Sequence, residues 1–160
     1  MFGRLSLLRS IAFLGVLLLG VSLPGVARSM LRLCIAGTTS GDWELPAGTG
    51  ETGQATGVLV VDQSEDPLFY LDATLTEGPP PMEFRIGQID GILTDSAGTP
   101  LYTVAGVWRT VPRDYTRGVW HAAIYDLDTG ERAGRMRGTF TQPPGQQGQY
   151  DGEWVLCEYP

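Results

Sequence analysis

Lysine and asparagine do not occur anywhere in this 160-residue chain. Without lysine there is no Walker A phosphate loop and no lysine Schiff base, and without asparagine there is no N-glycosylation sequon. Both residues are encoded by codons beginning AA, so their joint absence fits a GC-rich bacterial genome. For an exported chain this favours a periplasmic or extracellular location over a eukaryotic secretory route.

Histidine occurs once, as His121, and cysteine twice, as Cys34 and Cys157. Structural zinc wants four N or S ligands, which these residues do not supply, and no other cofactor or metal pattern is found. Any Ser-His-Asp or Cys-His site would have to use His121. Its alternate neighbours Ala123 and Tyr125 place it on the polar face of a strand, where a solvent-facing histidine is the plainer reading. Positive charge is equally scarce. Setting aside Arg4 and Arg9 leaves nine arginines against 18 acids, a net charge of −9 that is unsuited to nucleic acid.

Arg4 and Arg9 precede an apolar run from Ile11 to Val21, followed by Pro24 and the small-residue site Gly25-Val26-Ala27. Residues 1–27 read as an export signal of helical type, cleaved after Ala27. The run is short for a membrane span, and an uncleaved anchor is the alternative. Leu31, Arg32 and Leu33 before Cys34 argue against a lipid-acceptor cysteine. In an oxidising compartment Cys34 and Cys157 are expected to bridge the two ends of the exported part. Closing so long a loop stabilises by roughly 4 to 5 kcal/mol in the chain-entropy model.

What the chain has in abundance is a repeat. A Gly or Ala stands two residues before a bulky side chain, usually with another two residues behind it. The clear copies are Leu71-x-Ala73-x-Leu75, Ile89-x-Gly91-x-Leu93, Val104-x-Gly106-x-Trp108, Trp120-x-Ala122-x-Ile124, Met136-x-Gly138-x-Phe140 and Tyr150-x-Gly152-x-Trp154, and weaker ones centre on Gly41 and Gly57. Their centres differ by 16, 16, 18, 15, 16, 16 and 14 residues. Residues i, i+2 and i+4 share one strand face, so each copy predicts a strand with a packed face and each interval a strand plus its turn. Turn signals fall between the copies, among them 78–81, Ser96-Ala97-Gly98 and Asp128-Thr129-Gly130.

Residues 31–160 are therefore expected to form a single all-β domain, an antiparallel up-and-down barrel of eight or nine strands, with a two-sheet sandwich as the alternative. A separate strand from Leu31 to Gly37 would pair with the last, Tyr150 to Glu158. The register puts Trp43, Trp108, Trp120, Trp154 and Phe140 in the core. It puts Asp42, Asp72, Asp90, His121, Arg137, Asp151 and Glu153 outside.

One strand departs from that alternation. Between Leu101 and Val111 the outward positions include Leu101, Ala105, Val107 and Val111, and Ile92, Val119 and Ala123 lie on nearby strands. Such a stripe predicts a covering partner chain, membrane surface or chain segment such as the Pro-rich loop. Arg132, Arg135 and Arg137 are concentrated in residues 109–137, whereas residues 42–95 hold eleven acids and only Arg85. The three arginines offer a complement to an acidic partner or lipid headgroups. The stripe residues and these arginines together are the candidate partner surface.

Asp128-Thr129-Gly130 matches the catalytic tripeptide of aspartic proteases, but it occurs once where two aspartates must share a proton, so a hairpin turn is the expected role. Asp126-x-Asp128-x-Gly130 lacks the remaining oxygen ligands of a calcium loop. Asp62, Glu65 and Asp66 offer paired carboxylates of the kind used in glycoside hydrolysis. Gly41-Asp42-Trp43 resembles the Gly-x-Trp of the first strand of lipocalins and avidin-like barrels, and Tyr150-Asp151-Gly152-Glu153-Trp154 resembles the opening of a MORN repeat. Neither resemblance extends further along the chain.

Three functional classes follow as expectations. The first is a non-catalytic exported β domain binding another macromolecule, such as an accessory or scaffolding subunit on the outer face of a membrane complex. It would touch the membrane itself only through the N-terminal segment, if that is retained. The second is a small-ligand barrel, and the third a carboxylate hydrolase.

Overall fold

The structure, a computed structural model, describes residues 33–158 apart from 48–49, 80–82 and 145. The export signal expected over 1–27 lies outside the described residues. Eight strands follow in series: β1 (Leu33–Glu44), β2 (Thr52–Val61), β3 (Pro67–Glu77), β4 (Ile86–Thr94), β5 (Pro100–Val111), β6 (Asp114–Asp126), β7 (Arg132–Thr141) and β8 (Gly148–Glu158). Each pairs antiparallel with the next, and β8 returns to β1, so the sheet is a closed barrel in sequence order. Every motif centre falls in a different strand. Of the segment expected as an extra strand, Leu31 to Gly37, the described part from Leu33 is instead the first half of β1, because the ladders to β2 and β8 run through Gly37 to Trp43 without a break in register.

The ladder fixes the barrel's width. From Trp43 the cross-strand path runs through Ala55, Ala73, Gly91, Val104, Ile124, Gly134 and Leu156 and returns to β1 at Ile35, eight positions from its start. Eight strands with that stagger are tilted by about 36° and leave an interior just wide enough for side chains to fill.

Aromatic rings fill it. Trp43 stacks on Phe140 with centroids 4.6 Å apart, Tyr150 and Trp108 pack edge-on against that pair and Trp120 edge-on against Tyr150, while Phe69, Tyr102 and Trp154 form a second group. Every tryptophan is buried. Each also has a glycine directly opposite on a neighbouring strand: Gly148 for Trp43, Gly87 for Trp108, Gly138 for Trp120 and Gly37 for Trp154. The Trp108 ring lies against Gly87 and the Trp120 ring against Gly152, over backbone that carries no side chain of its own. At Gly87 and Gly118 a Cβ would meet both a neighbouring backbone oxygen, Thr76 O at 1.8 Å and Arg109 O at 2.2 Å, and a ring, Trp108 at 2.5 Å and Phe140 at 2.4 Å. At Gly106 and Gly138 the obstacle is the next strand's backbone, His121 O at 2.3 Å and Asp151 O at 1.9 Å. Close strand approach, as much as room for rings, explains the small residues of the repeat.

One end of the barrel is closed by a polar plug. The Arg85 guanidinium grips the Glu77 carboxylate at 2.8 and 2.9 Å, bonds the Pro46 carbonyl and lies 5.8 Å from the Trp108 ring centre. Thr110 Oγ1 accepts from the Arg85 amide at 2.8 Å, and Thr110 N donates back to Arg85 O at 2.9 Å. Cys34 and Cys157 face each other across the β1–β8 seam toward the other end, with Cα atoms 4.0 Å apart, and form a disulfide spanning 123 positions.

Candidate docking surface

With the lumen occupied, distinctive chemistry has to be sought on the outside. Cross-strand rows of the ladder show which outward residues stand together. Ile92, Thr103, Tyr125 and Arg132 form one row, Asp90, Ala105, Ala123 and Arg135 the next, and Gln88, Val107, His121 and Arg137 a third. A fourth carries Ile86, Arg109, Val119 and Thr139. The apolar stripe and the arginines, expected together as a partner surface, share one continuous wall.

Ile92, Leu101, Val107 and Val119 are 36 to 41% exposed, so no segment among the described residues covers them. The described part of the Pro-rich loop turns instead toward the plugged end, where Glu83 O accepts from Arg113 N. Val111 is set apart from the other stripe residues, half-buried at that same end beyond a break in register.

Charge is sorted around the barrel with equal clarity. Between the terminal residues Asp114 and Asp126 of β6, the outward positions of β5, β6 and β7 carry Arg109, Arg117, Arg132, Arg135 and Arg137 and no acid. The outward positions described on the other five strands carry Asp42, Glu44, Asp72, Asp90, Asp151 and Glu153 and no arginine. Arg117 is paired with Asp114 at 2.6 Å, and Arg137 with Glu153 across the β7–β8 ladder. Arg109 and Arg135 make no ion pair among the described residues, so their full donor sets are available.

No family model, curated protein or solved structure matches this chain. The wall must therefore be read from its own chemistry.

Of the remaining candidates, His121 lies within the wall and the others stand apart from it. His121 is exposed, between Val107 and Arg137. Asp128-Thr129-Gly130 is a turn: Asp126 Oδ1 accepts from the amides of Asp128 and Thr129 at 3.1 and 2.8 Å, and Gly130 has φ +70°. Those bonds, the Thr129 amide's first, hold the Asp126 carboxyl below its ordinary range. The Thr116 hydroxyl does the same for Asp114, aided by the Thr116 amide and Arg117. Asp62, Glu65 and Asp66 are all exposed in the β2–β3 loop. Hollows of about 760 Å³ lie on the outer surface, one of them beside Val119, His121 and Arg137.

The sequence reading missed the plug. Arg85 stood out as the one cation among eleven acids, but only the fold brings Glu77 and the Pro46 carbonyl to it.

Proposed function

We propose that this chain is a non-catalytic exported β domain that attaches to a larger assembly at a membrane, as an accessory or scaffolding subunit, through the wall of β4 to β7. One observation carries the reading: the wall is partly apolar, rich in arginine and, between the ends of β5, β6 and β7, free of outward acid, on a protein that is otherwise acidic. Exposed apolar residues interleaved with unpaired arginines are the composition of contact surfaces rather than of solvated sheet. The filled lumen weighs against a ligand held inside the barrel, and the disulfide across the β1–β8 seam fits an oxidising compartment such as the periplasm or the exterior.

The wall is strongly curved. From β4 to β7 it covers three of the eight strand intervals, roughly 135° of the circumference. A flat partner cannot touch Ile92 and Arg135 together, so β5 and β6 form the centre of the contact. Co-purification from membranes in mild detergent tests the reading. The parent chain is expected to remain with the membrane assembly and Val107→Glu to leave it while melting like the parent. Release of both, or retention of both, contradicts the proposal.

A further inference from the structure

The ladder that places arginine and apolar residues on one wall also limits what can lie against it. A closed barrel has no free strand edge, so strand addition by a peptide is unavailable. The wall is convex, and a protein partner would need a matching groove to bury the roughly 800 Å² per side of a stable complex. Lipid headgroups conform to a convex surface without such a groove. With lysine absent, the wall's positive charge comes from arginine, which presents a planar fork suited to phosphate.

The angular spacing fits as well. With strands about 4.8 Å apart, the barrel measures roughly 15 Å between opposite backbones and about 25 Å between outward side-chain tips. A cylinder of that size settled about 5 Å into a headgroup layer touches an arc of roughly 110°, the lowest strand and one on either side. With β6 lowest, Val119 and Ala123 point toward the acyl boundary with His121 between them. Arg109 on β5 and Arg135 and Arg137 on β7 then flank them at the level of the phosphates. Asp42, Glu44 and Asp72 on β1 and β3 lie more than two screening lengths away at physiological salt, about 8 Å each, while Asp90 on β4 and Asp151 and Glu153 on β8 border the wall, Glu153 already paired with Arg137.

We propose that the wall centred on β6 rests on an anionic bilayer surface, with Val119 and Ala123 at the acyl boundary and Arg109, Arg135 and Arg137 in the phosphate layer. The inference rests on the docking reading above and names the component of the assembly that the wall engages.

Flotation of the full exported chain with vesicles tests it, using phosphatidylcholine alone and phosphatidylcholine with phosphatidylglycerol as about a third of the lipid. The parent is expected to bind the anionic vesicles selectively and to be released by salt. Each arginine near a charged surface contributes about fivefold, so Arg109→Gln with Arg135→Gln should weaken binding about 25-fold. Val119→Asp should weaken it too, while Asp72→Asn on the opposite wall should stay within about twofold. All the substituted side chains are exposed, and a thermal melt like the parent's confirms folding for each variant.

Equal binding to both vesicle types, or Arg variants that bind like the parent, overturns the inference. If anionic vesicles are ignored but the Arg variants lose the membrane assembly, the wall binds a protein: the lipid inference falls and docking stands. If the Arg variants and Val107→Glu all keep the assembly, both fall.

Discussion

Replacing Gly138 by alanine adds a single carbon at the tightest point of the β7–β8 ladder. Gly138 faces Gly152, and its Cβ would lie 1.9 Å from the Asp151 carbonyl oxygen and 2.7 Å from Gly152 Cα. An ordinary carbon–oxygen approach is about 3.3 Å, so the strands must part locally by more than 1 Å. Both obstacles are backbone, and no side chain can rotate away. Parting the strands lengthens the flanking ladder bonds, each worth about 1 kcal/mol, and shifts Met136 and Trp154 in a close-packed interior. Adding the usual cost of overpacking, and allowing less than 1 kcal/mol of relief from a stiffer unfolded chain, gives a loss of about 3 kcal/mol. For a domain of this size that lowers the melting temperature by about 10 °C. Gly78→Ala is the matched control, because its Cβ would meet nothing nearer than Ile86 O at 3.5 Å. Thermal unfolding followed by circular dichroism reads both variants. A Gly138→Ala melt within a degree or two of the parent would refute the claim that close strand approach dictates the small residues of the repeat.

Other consequences follow from the same geometry. Cys157→Ser should lower the melting temperature, by up to about 5 kcal/mol of stability in the chain-entropy model, and mass spectrometry of exported material should find no free thiol in the parent; two free thiols would contradict the disulfide. Arg85→Met should cost on the order of 3 kcal/mol by leaving the Glu77 carboxylate, only 6% exposed, without its partner, and adding Glu77→Gln should recover part of the loss in a denaturant titration. Asp126 has a folded-state pKa below its unfolded value, so its contribution is present above the ordinary pKa of 3.8 and is lost as pH falls through the lower folded value. Carboxyl titration by NMR should place its midpoint below that value, and Thr129→Val should move it back up.

The strands and the core were legible because period-two patterning survived in every strand, with turn residues between copies. Once Trp43, Trp108, Trp120 and Trp154 were assigned to one face, the outward position of Asp90 or His121 followed from alternation alone. The walls of the barrel were less legible. That Arg135 stands beside Ala123 and Ala105 depends on cross-strand register, and the two-residue step between successive hairpins is not written in any one strand. The plug was hidden for a related reason, since Glu77 and Arg85 flank a proline-rich turn whose path is set by tertiary packing. The burial of Leu45 and Pro46 at the barrel's end, outside any motif copy, had no periodic signal at all.

Tyr115 on β6 and Tyr70 on β3 are a matched pair of probes, 48% and 41% exposed on strands three apart. Hydroxyl-radical footprinting of the chain in membranes and again after release measures both at once. If the β5–β7 wall is the attachment surface, Tyr115 and Val119 should be shielded in membranes and recover on release, with Tyr70 equally reactive in both states. Shielding of Tyr70 with Tyr115 left open would contradict the account, as would no change at either residue.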